Sequence, residues 1–203
     1  MPVNALPPQA MPHLPVLAAE AQRLRSPVPA WVMAGQVDHE TACPQPRKCW
    51  NPRAEFRTVR EQGVGLGQIT RVFGRFDALA EMRAAHLAEL AGWSWESVGD
   101  ARYQLRALVL KNADNHRALA PLFGDALAPV LTAYNRGVGG VRADRRLCEV
   151  TPGCDPSRWA GHVERACAGS KAVIAGTRLT ACEISRRYAP DVLARAVKYR
   201  GRL

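Results

Sequence analysis

Apolar side chains recur every three or four residues along most of this chain, and this spacing constrains the fold more than any other feature. In residues 76–92, FDALAEMRAAHLAELAG, the apolar positions share one helix face and the pattern stops at Gly92. The same spacing predicts further helices over residues 13–25, 28–42, 99–118, 124–135, 156–168 and 181–200. No alternating strand pattern of any length is evident. The sequence therefore predicts a mainly α fold with little or no β-structure.

Prolines and glycines mark the connections between these helices. Three prolines make residues 43–53 a loop. Residues 60–70, REQGVGLGQIT, have three glycines in five positions and then turn apolar, which predicts a turn that feeds a short helix. The sequence predicts an N-terminal Pro-rich segment and helix over residues 1–26, and one compact domain over residues 27–203.

The charge of the chain points to polyanionic partners. Its 203 residues carry a formal net charge of +10, and 24 of the 28 basic residues are arginines. Such a surface attracts nucleic acid, acidic wall polymers or anionic lipid, although an arginine-rich genome would produce the same composition. No apolar run approaches the ~20 residues that cross a bilayer. The N-terminus lacks the basic start and the apolar segment of a signal peptide.

An even number of cysteines permits disulfides. The six are Cys43, Cys49, Cys148, Cys154, Cys167 and Cys182. Cys43 with Cys49 and Cys148 with Cys154 each enclose a short loop suited to a local disulfide, while pairing between the two loops and buried free thiols are the alternatives. Disulfides would imply an oxidising compartment such as a bacterial periplasm. The spacings do not fit a zinc site, and we expect no metal and no cofactor.

Glu40 is a candidate catalytic acid because it lies where a predicted helix ends. The helix dipole disfavours a carboxylate at that end, and shielding by Trp31 or Trp50 would favour the neutral form further. A carboxylic acid that stays protonated near neutral pH can act as a general acid. An exposed helix-end residue is the alternative interpretation. Asp38 is expected to point away from Glu40 and to be solvated, and His39 to be partly buried or solvated.

Two glycine-rich segments supply candidate binding residues. In residues 63–68, GVGLGQ, glycines allow close approach of the backbone to a ligand, and the Gln68 amide offers a donor and an acceptor. In residues 131–140, LTAYNRGVGG, Tyr134 could stack on a sugar ring and Asn135 could hydrogen-bond its polar groups. The alternatives are an ordinary glycine turn in the first segment and a helix C-cap in the second.

Taken in order, these segments resemble the lysozyme-like lytic transglycosylases, of the soluble lytic transglycosylase and goose-type lysozyme superfamily. Members carry Glu-Ser, then Gly-Leu-Met-Gln, then Ala-Tyr-Asn-Ala-Gly, and Ser/Thr-x-x-Tyr-Val on a late helix. The corresponding residues here are 40–41, 65–68, 133–137 and 185–189. The chain departs from the pattern at Thr41 for Ser, Gly67 for Met, Arg136 for Ala and Ala189 for Val. The similarity extends from Trp31 to about residue 192, with strong motifs at some 20 positions.

The resemblance implies a lysozyme-like α-helical domain with a substrate cleft. It implies cleavage of the β-1,4 bond between N-acetylmuramic acid and N-acetylglucosamine in peptidoglycan, with Glu40 as acid and then base and a 1,6-anhydro product. It implies substrate-binding roles for Gly65, Leu66, Gln68, Tyr134, Asn135 and Tyr188. Two alternatives remain: a hydrolytic lysozyme in which Glu61 is a second acid, and a non-catalytic basic module that binds nucleic acid or the wall.

The similarity looks closest to phage-encoded members, in KCWNPRAEF and in GCDPSRWAGHVE. It implies a bacteriophage endolysin, a bacteriolytic enzyme of the lyase class, made in the host cytoplasm. It would act in the periplasm after holin-dependent release or virion delivery. The expected partner is the glycan strand; we expect a monomer and no nucleic acid. The final helix, with Arg186, Arg187, Arg195, Lys198, Arg200 and Arg202, is a candidate for contact with an anionic outer-membrane surface, the alternative being a solvated face.

Overall fold

The protein is described by a computed structural model that covers residues 5–174 and 177–203. About 53% of the chain is helical and 8% lies in strands, so the prediction of a mainly α fold is confirmed. The helices are α1 (Leu14–Arg23), α2 (Ala30–Glu40), α3 (Ala78–Ala85), α4 (Leu87–Leu90), α5 (Ala101–Leu119), α6 (Leu127–Glu149) and α7 (Ala181–Ala196). The strands are β1 (Glu55–Arg57), β2 (Glu61–Val64), β3 (Ile69–Val72) and β4 (Phe76–Asp77). Short 3-10 turns cover Pro8–Ala10, Ala120–Leu122 and Val197–Tyr199.

The chain divides into two compact units. The first unit comprises Met1–Lys111 with Leu193–Leu203, and the second comprises Asn112–Val192. Within the first unit, α1 packs against α2. The proposed boundary between residues 26 and 27 stays a prediction.

The predicted helices that correspond to α1, α2, α5 and α7 form close to their predicted bounds. Local side chains cap the starts of α5 and α7. Asp100 caps α5, since its Oδ1 accepts from the backbone N–H groups of Arg102 and Tyr103 at 2.9 and 3.2 Å. A reciprocal cap opens α7. The N–H of Thr180 donates to Glu183 Oε2 at 2.7 Å, and the N–H of Glu183 donates to Thr180 Oγ1 at 3.2 Å.

Residues 60–70 form a β-hairpin, so the prediction of a turn followed by a short helix was wrong. β2 and β3 pair antiparallel, with Glu61 opposite Val72 and Val64 opposite Ile69. β1 and β4 add to the edges in the order β1-β2-β3-β4. Each strand has only two to four residues, too few for alternation to appear. Pairing between strands, rather than a local pattern, stabilises this segment.

Three predicted helices have different bounds because single residues depart from helical geometry. Helix 76–92 loses its start to β4, and His86 divides the remainder into α3 and α4. The predicted stop at the glycine run is wrong, because α6 continues to Glu149 with an interruption at Gly137 (φ 75°). Residues 156–168 contain only a π-helical turn, Trp159–Val163, which Gly161 (φ 75°) interrupts.

The core of the first unit includes the corner near Trp93. Its buried cluster contains Ile69, Leu79, Met82, Leu90, Trp93, Ala107 and Leu110. Trp93 is fully buried and stacks on Tyr103, with ring centroids 6.0 Å apart. Trp95 packs at the edge of the cluster and donates from Nε1 to Asp77 Oδ2 at 2.8 Å. Both tryptophans therefore stabilise the fold of this corner.

All six cysteines are paired. The disulfides join Cys43 to Cys49, Cys148 to Cys154 and Cys167 to Cys182. The first two are the local pairs that the spacing suggested, and neither cross-pairing between loops nor free thiols occurs. The third disulfide connects α7 to the irregular segment before it.

A buried glutamate that the sequence analysis did not single out connects α1 to α5. Glu20 is 2% exposed and lies on α1. Its carboxylate accepts hydrogen bonds from Arg23, Arg102 and Arg106 at 2.8 to 3.1 Å. Burial alone would raise the pKa of Glu20, but the bonds from Arg106, Arg102 and Arg23 outweigh it and lower the pKa to about 2.

This pKa shift predicts a specific loss of stability in acid. Glu20 in an unfolded chain titrates near its ordinary 4.5, and in the folded chain near 2. Its contribution is therefore complete above pH 4.5 and disappears as the pH falls to 2, and it amounts to about 3 kcal/mol. Denaturant melts of the wild type and Glu20→Gln should show a difference in unfolding free energy that shrinks by that amount between pH 6 and pH 2. A difference independent of pH would contradict the assignment.

Candidate active site

Glu40 is the last residue of α2 and is half-buried. The chain directly after it is held in place. Thr41 is buried and donates from Oγ1 to the carbonyl of Val37 at 2.6 Å. The same Oγ1 accepts from the backbone N–H of Trp50 at 3.1 Å. The disulfide between Cys43 and Cys49 closes the loop between these two contacts. The backbone at Glu40 is therefore fixed by the helix before it and by the Thr41 hydrogen bonds and the disulfide-closed loop after it.

Asp38 is fully buried, so the expectation that it would be solvated was wrong. Its Oδ1 accepts from Trp50 Nε1 at 2.5 Å and from the Tyr199 hydroxyl at 2.6 Å. Its Oδ2 forms an ion pair with Lys198 Nζ. Burial and the charge of Asp38 raise the pKa of Tyr199, so that hydroxyl remains a donor. We call Asp38, Trp50, Lys198 and Tyr199 the Asp38 cluster.

The Asp38 cluster changes the interpretation of two predicted features. Trp50, proposed as a wall beside Glu40, is 1% exposed and uses its indole N–H on Asp38. Trp31, the other proposed wall, lies 5.7 Å from the Arg200 guanidinium. Asp38 itself is already neutralised by a cation and has two further donors. It is thus a structural ion and is not available as a second catalytic carboxylate.

The Gly65–Gln68 segment forms the turn of the β2–β3 hairpin. Gly65 has φ +75°, and a Cβ at this position would lie 2.2 Å from the amide of Gln104. Gln104 is fully buried; it accepts from the N–H of Leu66 at 2.8 Å and donates to the carbonyl of Pro52, also at 2.8 Å. The turn conformation and the close contact with Gln104 therefore both require glycine at position 65. Sequence analysis did not identify Gln104, because a single glutamine within a helix carries no recognisable pattern.

Gln68 and Leu66 differ in what they can offer a ligand. Gln68 is half-buried and donates from Nε2 to the carbonyl of Gly65 at 3.0 Å. A Cβ at Gly63 would lie 3.0 Å from Gln68 Oε1, so the glycine makes room for this amide. Leu66 is fully buried. Its side chain belongs to the core, and the substrate-binding role implied for it stays a prediction.

A short run of hydrogen bonds connects the end of α2 to the Gly65–Gln68 turn. Trp50 is bonded through its backbone N–H to Thr41, next to Glu40. The N–H of Ala54 donates to the carbonyl of Asn51 at 3.0 Å, and the N–H of Gly65 donates to the carbonyl of Ala54 at 2.8 Å. Two of the segments singled out in the sequence are therefore joined within the first unit.

Glu61, the possible second acid, lies on the same sheet face as the Gln68 amide. Glu61 and Gly63 are two residues apart on β2, so their Cα–Cβ directions point to one face. The Gln68 side chain occupies the space in front of Gly63. Glu61 is half-buried and sits opposite Val72 on β3. Among the acidic residues of the four strands, Glu61 is the one on this face of the sheet.

The other two sequence motifs meet in the second unit. The rings of Tyr134 and Tyr188 stack with centroids 6.5 Å apart and an interplanar angle of 12°. Asn135 is exposed, and its Oδ1 accepts from the Ser185 hydroxyl at 3.4 Å. Tyr188 is 1% exposed. Tyr188 therefore packs in the core and contacts Tyr134 from there. The substrate-binding role that the resemblance implies for Tyr188 stays a prediction.

Arg136, which lies where the family that the chain resembles has alanine, connects the two sides of the interruption of α6. It donates to both oxygens of the buried Asp144, at 2.8 Å each. Asp144 Oδ1 also accepts from the N–H of Ala168 at 2.7 Å. A Cβ at Gly140 or at Gly169 would lie 2.5 Å from the Arg136 side chain. These two glycines therefore leave room for the Arg136 side chain, and the charge of Arg136 is neutralised by its ion pair with Asp144.

Two cavities and one group of possible metal ligands lie away from the predicted site residues or cannot bind a metal. A cavity of about 730 Å³ lies near Cys154 and His162 in the second unit, and one of about 630 Å³ lies near Gln62 and Ser97 in the first. Neither is lined by Glu40 or by the predicted binding residues. Among the described residues, the one group with metal-ligand spacing is Asp38 with Cys43 and Cys49. Its sulfurs form a disulfide, so they cannot bind a metal as thiolates.

Comparison with protein-family models, curated proteins and solved structures finds no match to this chain.

Proposed function

We propose that this protein is a peptidoglycan lytic transglycosylase that cleaves the β-1,4 bond between N-acetylmuramic acid and N-acetylglucosamine. The observation that carries the proposal is that Glu40, at the end of α2, is the solvent-accessible one of two neighbouring carboxyl groups. Asp38 is buried in an ion pair, whereas Glu40 remains half-exposed beside it on a fixed backbone. A transglycosylase needs one protein carboxyl because the substrate supplies the nucleophile, while ordinary glycosidases use two.

In this mechanism Glu40 acts twice. As a carboxylic acid it donates a proton to the glycosidic oxygen while the bond from that oxygen to muramoyl C1 breaks. The resulting carboxylate then takes the proton of the muramoyl C6 hydroxyl as the C6 oxygen bonds to C1. The products are a 1,6-anhydromuramoyl end and a free N-acetylglucosamine 4-hydroxyl. Glu40 finishes protonated and is ready for another cycle.

The remaining candidates would bind the glycan. Gln68 presents a half-buried amide. One N–H of this amide donates to the carbonyl of Gly65, which fixes the orientation of the group. Asn135 is exposed, and its Oδ1 lies 3.4 Å from Ser185 Oγ. Tyr134 is half-buried and backed by the ring of Tyr188. Amides and aromatic rings are suited to the acetamido groups and apolar faces of amino sugars.

A hydrolytic lysozyme is the second candidate, and the position of Glu61 favours it. Glu61 shares a sheet face with the Gln68 amide, so a second carboxylate could position or activate a water molecule there. In that case the muramic product would carry a reducing end.

Mass analysis of the products tests both forms of the proposal. Purified peptidoglycan digested with the protein should release muropeptides that end in 1,6-anhydro-N-acetylmuramic acid. Fragments one water molecule heavier, with a reducing end that borohydride converts, would establish hydrolysis and favour the lysozyme alternative. No soluble fragment of either kind, from a folded protein, would overturn the proposed activity altogether.

The proposed biology follows from that activity. As a bacteriophage endolysin, the protein would be made in the host cytoplasm and would act on the wall in the periplasm, after holin-dependent release or virion delivery. Three disulfides suit an oxidising compartment. We propose that it acts as a monomer on glycan strands.

A further inference from the structure

Exposed apolar side chains are concentrated at one end of the small sheet. Phe56, Val59, Phe73 and Phe76 are 50%, 95%, 42% and 41% exposed. They belong to residues 56–60 and 73–76, which the hairpin connections bring together. We call these nine residues the sheet tip. The N–H of Phe73 donates to the carbonyl of Arg60 at 3.0 Å, which holds the two segments side by side.

The sheet tip combines these apolar groups with positive charge. It contains Arg57, Arg60 and Arg75, all exposed, and no acidic residue. The guanidinium of Arg57 lies 5.9 Å from the centre of the Phe73 ring, so charge and aromatic surface are interleaved rather than separated.

Two of the acidic residues that flank the tip have side-chain partners. Glu55 accepts a hydrogen bond from Gln62 Nε2 at 2.8 Å and forms an ion pair with Arg57 Nη1 at 3.7 Å. Asp77 caps α3 through the N–H of Ala80 and also accepts from Trp95. Glu61 is half-buried on β2. The outermost part of the sheet therefore presents cations and apolar groups together.

The arrangement of the rings suits insertion of the tip end-on. Phe56 and Phe76 lie in adjacent rows on one sheet face, since Phe56 is opposite Gly63 and Phe76 is opposite Val72. Phe73 contacts Arg57 and Arg71, which belong to the other face. Apolar side chains therefore lie on both faces at this end of the sheet. A segment that inserts end-on into the apolar layer of a bilayer needs such side chains on both faces.

We infer that the sheet tip binds the surface of an anionic phospholipid bilayer. The phenylalanines and Val59 would enter the boundary between headgroups and acyl chains, while the arginines would bind lipid phosphates. Nucleic acid would match the arginines, but it gives no reason for a valine that is almost fully exposed beside them. The inference does not depend on the transglycosylase proposal, because none of these residues belongs to its active site.

This surface replaces the final helix as the membrane-binding candidate. Lys198 is paired with the buried Asp38. Arg195 donates to the carbonyl of Cys43 at 2.8 Å, and Arg186 donates to the carbonyls of Glu164 and Arg165. Half of the cations proposed for that helix are therefore used within the protein. In the part of the chain that the structure describes, no helix is long and apolar enough to cross a membrane.

Vesicle co-sedimentation tests the inference. The intact protein should bind vesicles of phosphatidylglycerol and phosphatidylethanolamine much more tightly than vesicles of phosphatidylcholine, with weaker binding at high salt. Val59→Ser/Phe73→Ser should lower the affinity about tenfold or more. Val150→Ser/Leu87→Ser, which removes exposed apolar groups elsewhere, should leave it unchanged. Truncation after Tyr199, which removes Arg200 and Arg202, should also have little effect.

Three results would overturn the inference. One is equal vesicle affinity for the wild type and Val59→Ser/Phe73→Ser. Another is an equal loss in the Val150→Ser/Leu87→Ser control. The third is a protein that binds a DNA duplex but not anionic vesicles, with DNA binding lost in Arg57→Gln/Arg60→Gln/Arg75→Gln, which would assign the tip to nucleic acid. Clearance of purified peptidoglycan, which contains no lipid, should be the same for all of these variants if they fold.

Discussion

Glu40→Gln is expected to lower the rate of peptidoglycan clearance by about 10³-fold or more. Glutamine keeps the shape of the side chain but can neither donate a proton to the glycosidic oxygen nor accept one from the C6 hydroxyl. General acid and base catalysis each contribute roughly 10²- to 10⁴-fold, and here both steps depend on the same group. Turbidity loss of purified walls, measured at matched protein concentration, gives the rate.

Glu61→Gln is the matched control for this experiment, since it makes the same chemical change on a half-buried acid of the first unit. It should retain activity within about tenfold, an effect of binding alone. Thermal melts of both variants should resemble that of the wild type. A folded Glu40→Gln protein that clears walls at the wild-type rate would refute the site, and loss of activity in both variants would favour the two-carboxylate hydrolase.

Lys198→Met is expected to destabilise the protein by about 3 kcal/mol and to lower its melting temperature by roughly 10 °C. Asp38 is fully buried, and its ion pair with Lys198 supplies the compensating charge. Without that cation the carboxylate would remain in the interior with only two neutral donors, Trp50 and Tyr199. Breaking one half of a buried ion pair is costly for this reason. The melting temperature by circular dichroism measures the effect.

Two further variants make this test specific. Arg202→Met removes an exposed cation four residues along the chain, and should change stability by no more than about 0.5 kcal/mol. Asp38→Asn in the Lys198→Met background should recover part of the loss, because the buried charge is then gone. Equal losses in Lys198→Met and Arg202→Met would contradict the proposed ion pair, as would a double variant less stable than Lys198→Met alone.

The helices could be predicted because their causes lie within a few residues of each other. Two local features specify these helices: the apolar spacing within α1 and α5, and the caps at Asp100 and Thr180. Each segment can therefore be recognised as a helix from its own residues. The local disulfides were suggested for the same reason, since the cysteines of each pair are only six positions apart.

The sheet could not be predicted in this way. Its strands have at most four residues, and Gly63 lies inside one of them, so composition favoured a turn. Strands of this length form because neighbours satisfy their backbone hydrogen bonds, and those neighbours are specified only by the fold. The same pairing creates the sheet tip, which has no counterpart as a sequence motif.

The sequence alone determined the mainly α character, the position of Glu40 at a helix end and the glycine turn that carries Gln68. Tertiary structure alone decided which neighbouring side chains are exposed to solvent. Asp38 and Glu40 are two residues apart on one helix, yet one is buried against Lys198 from the far end of the chain and the other is half-exposed. The free energy of a charge depends on its distance from water and from counter-charges, and chain folding sets both distances.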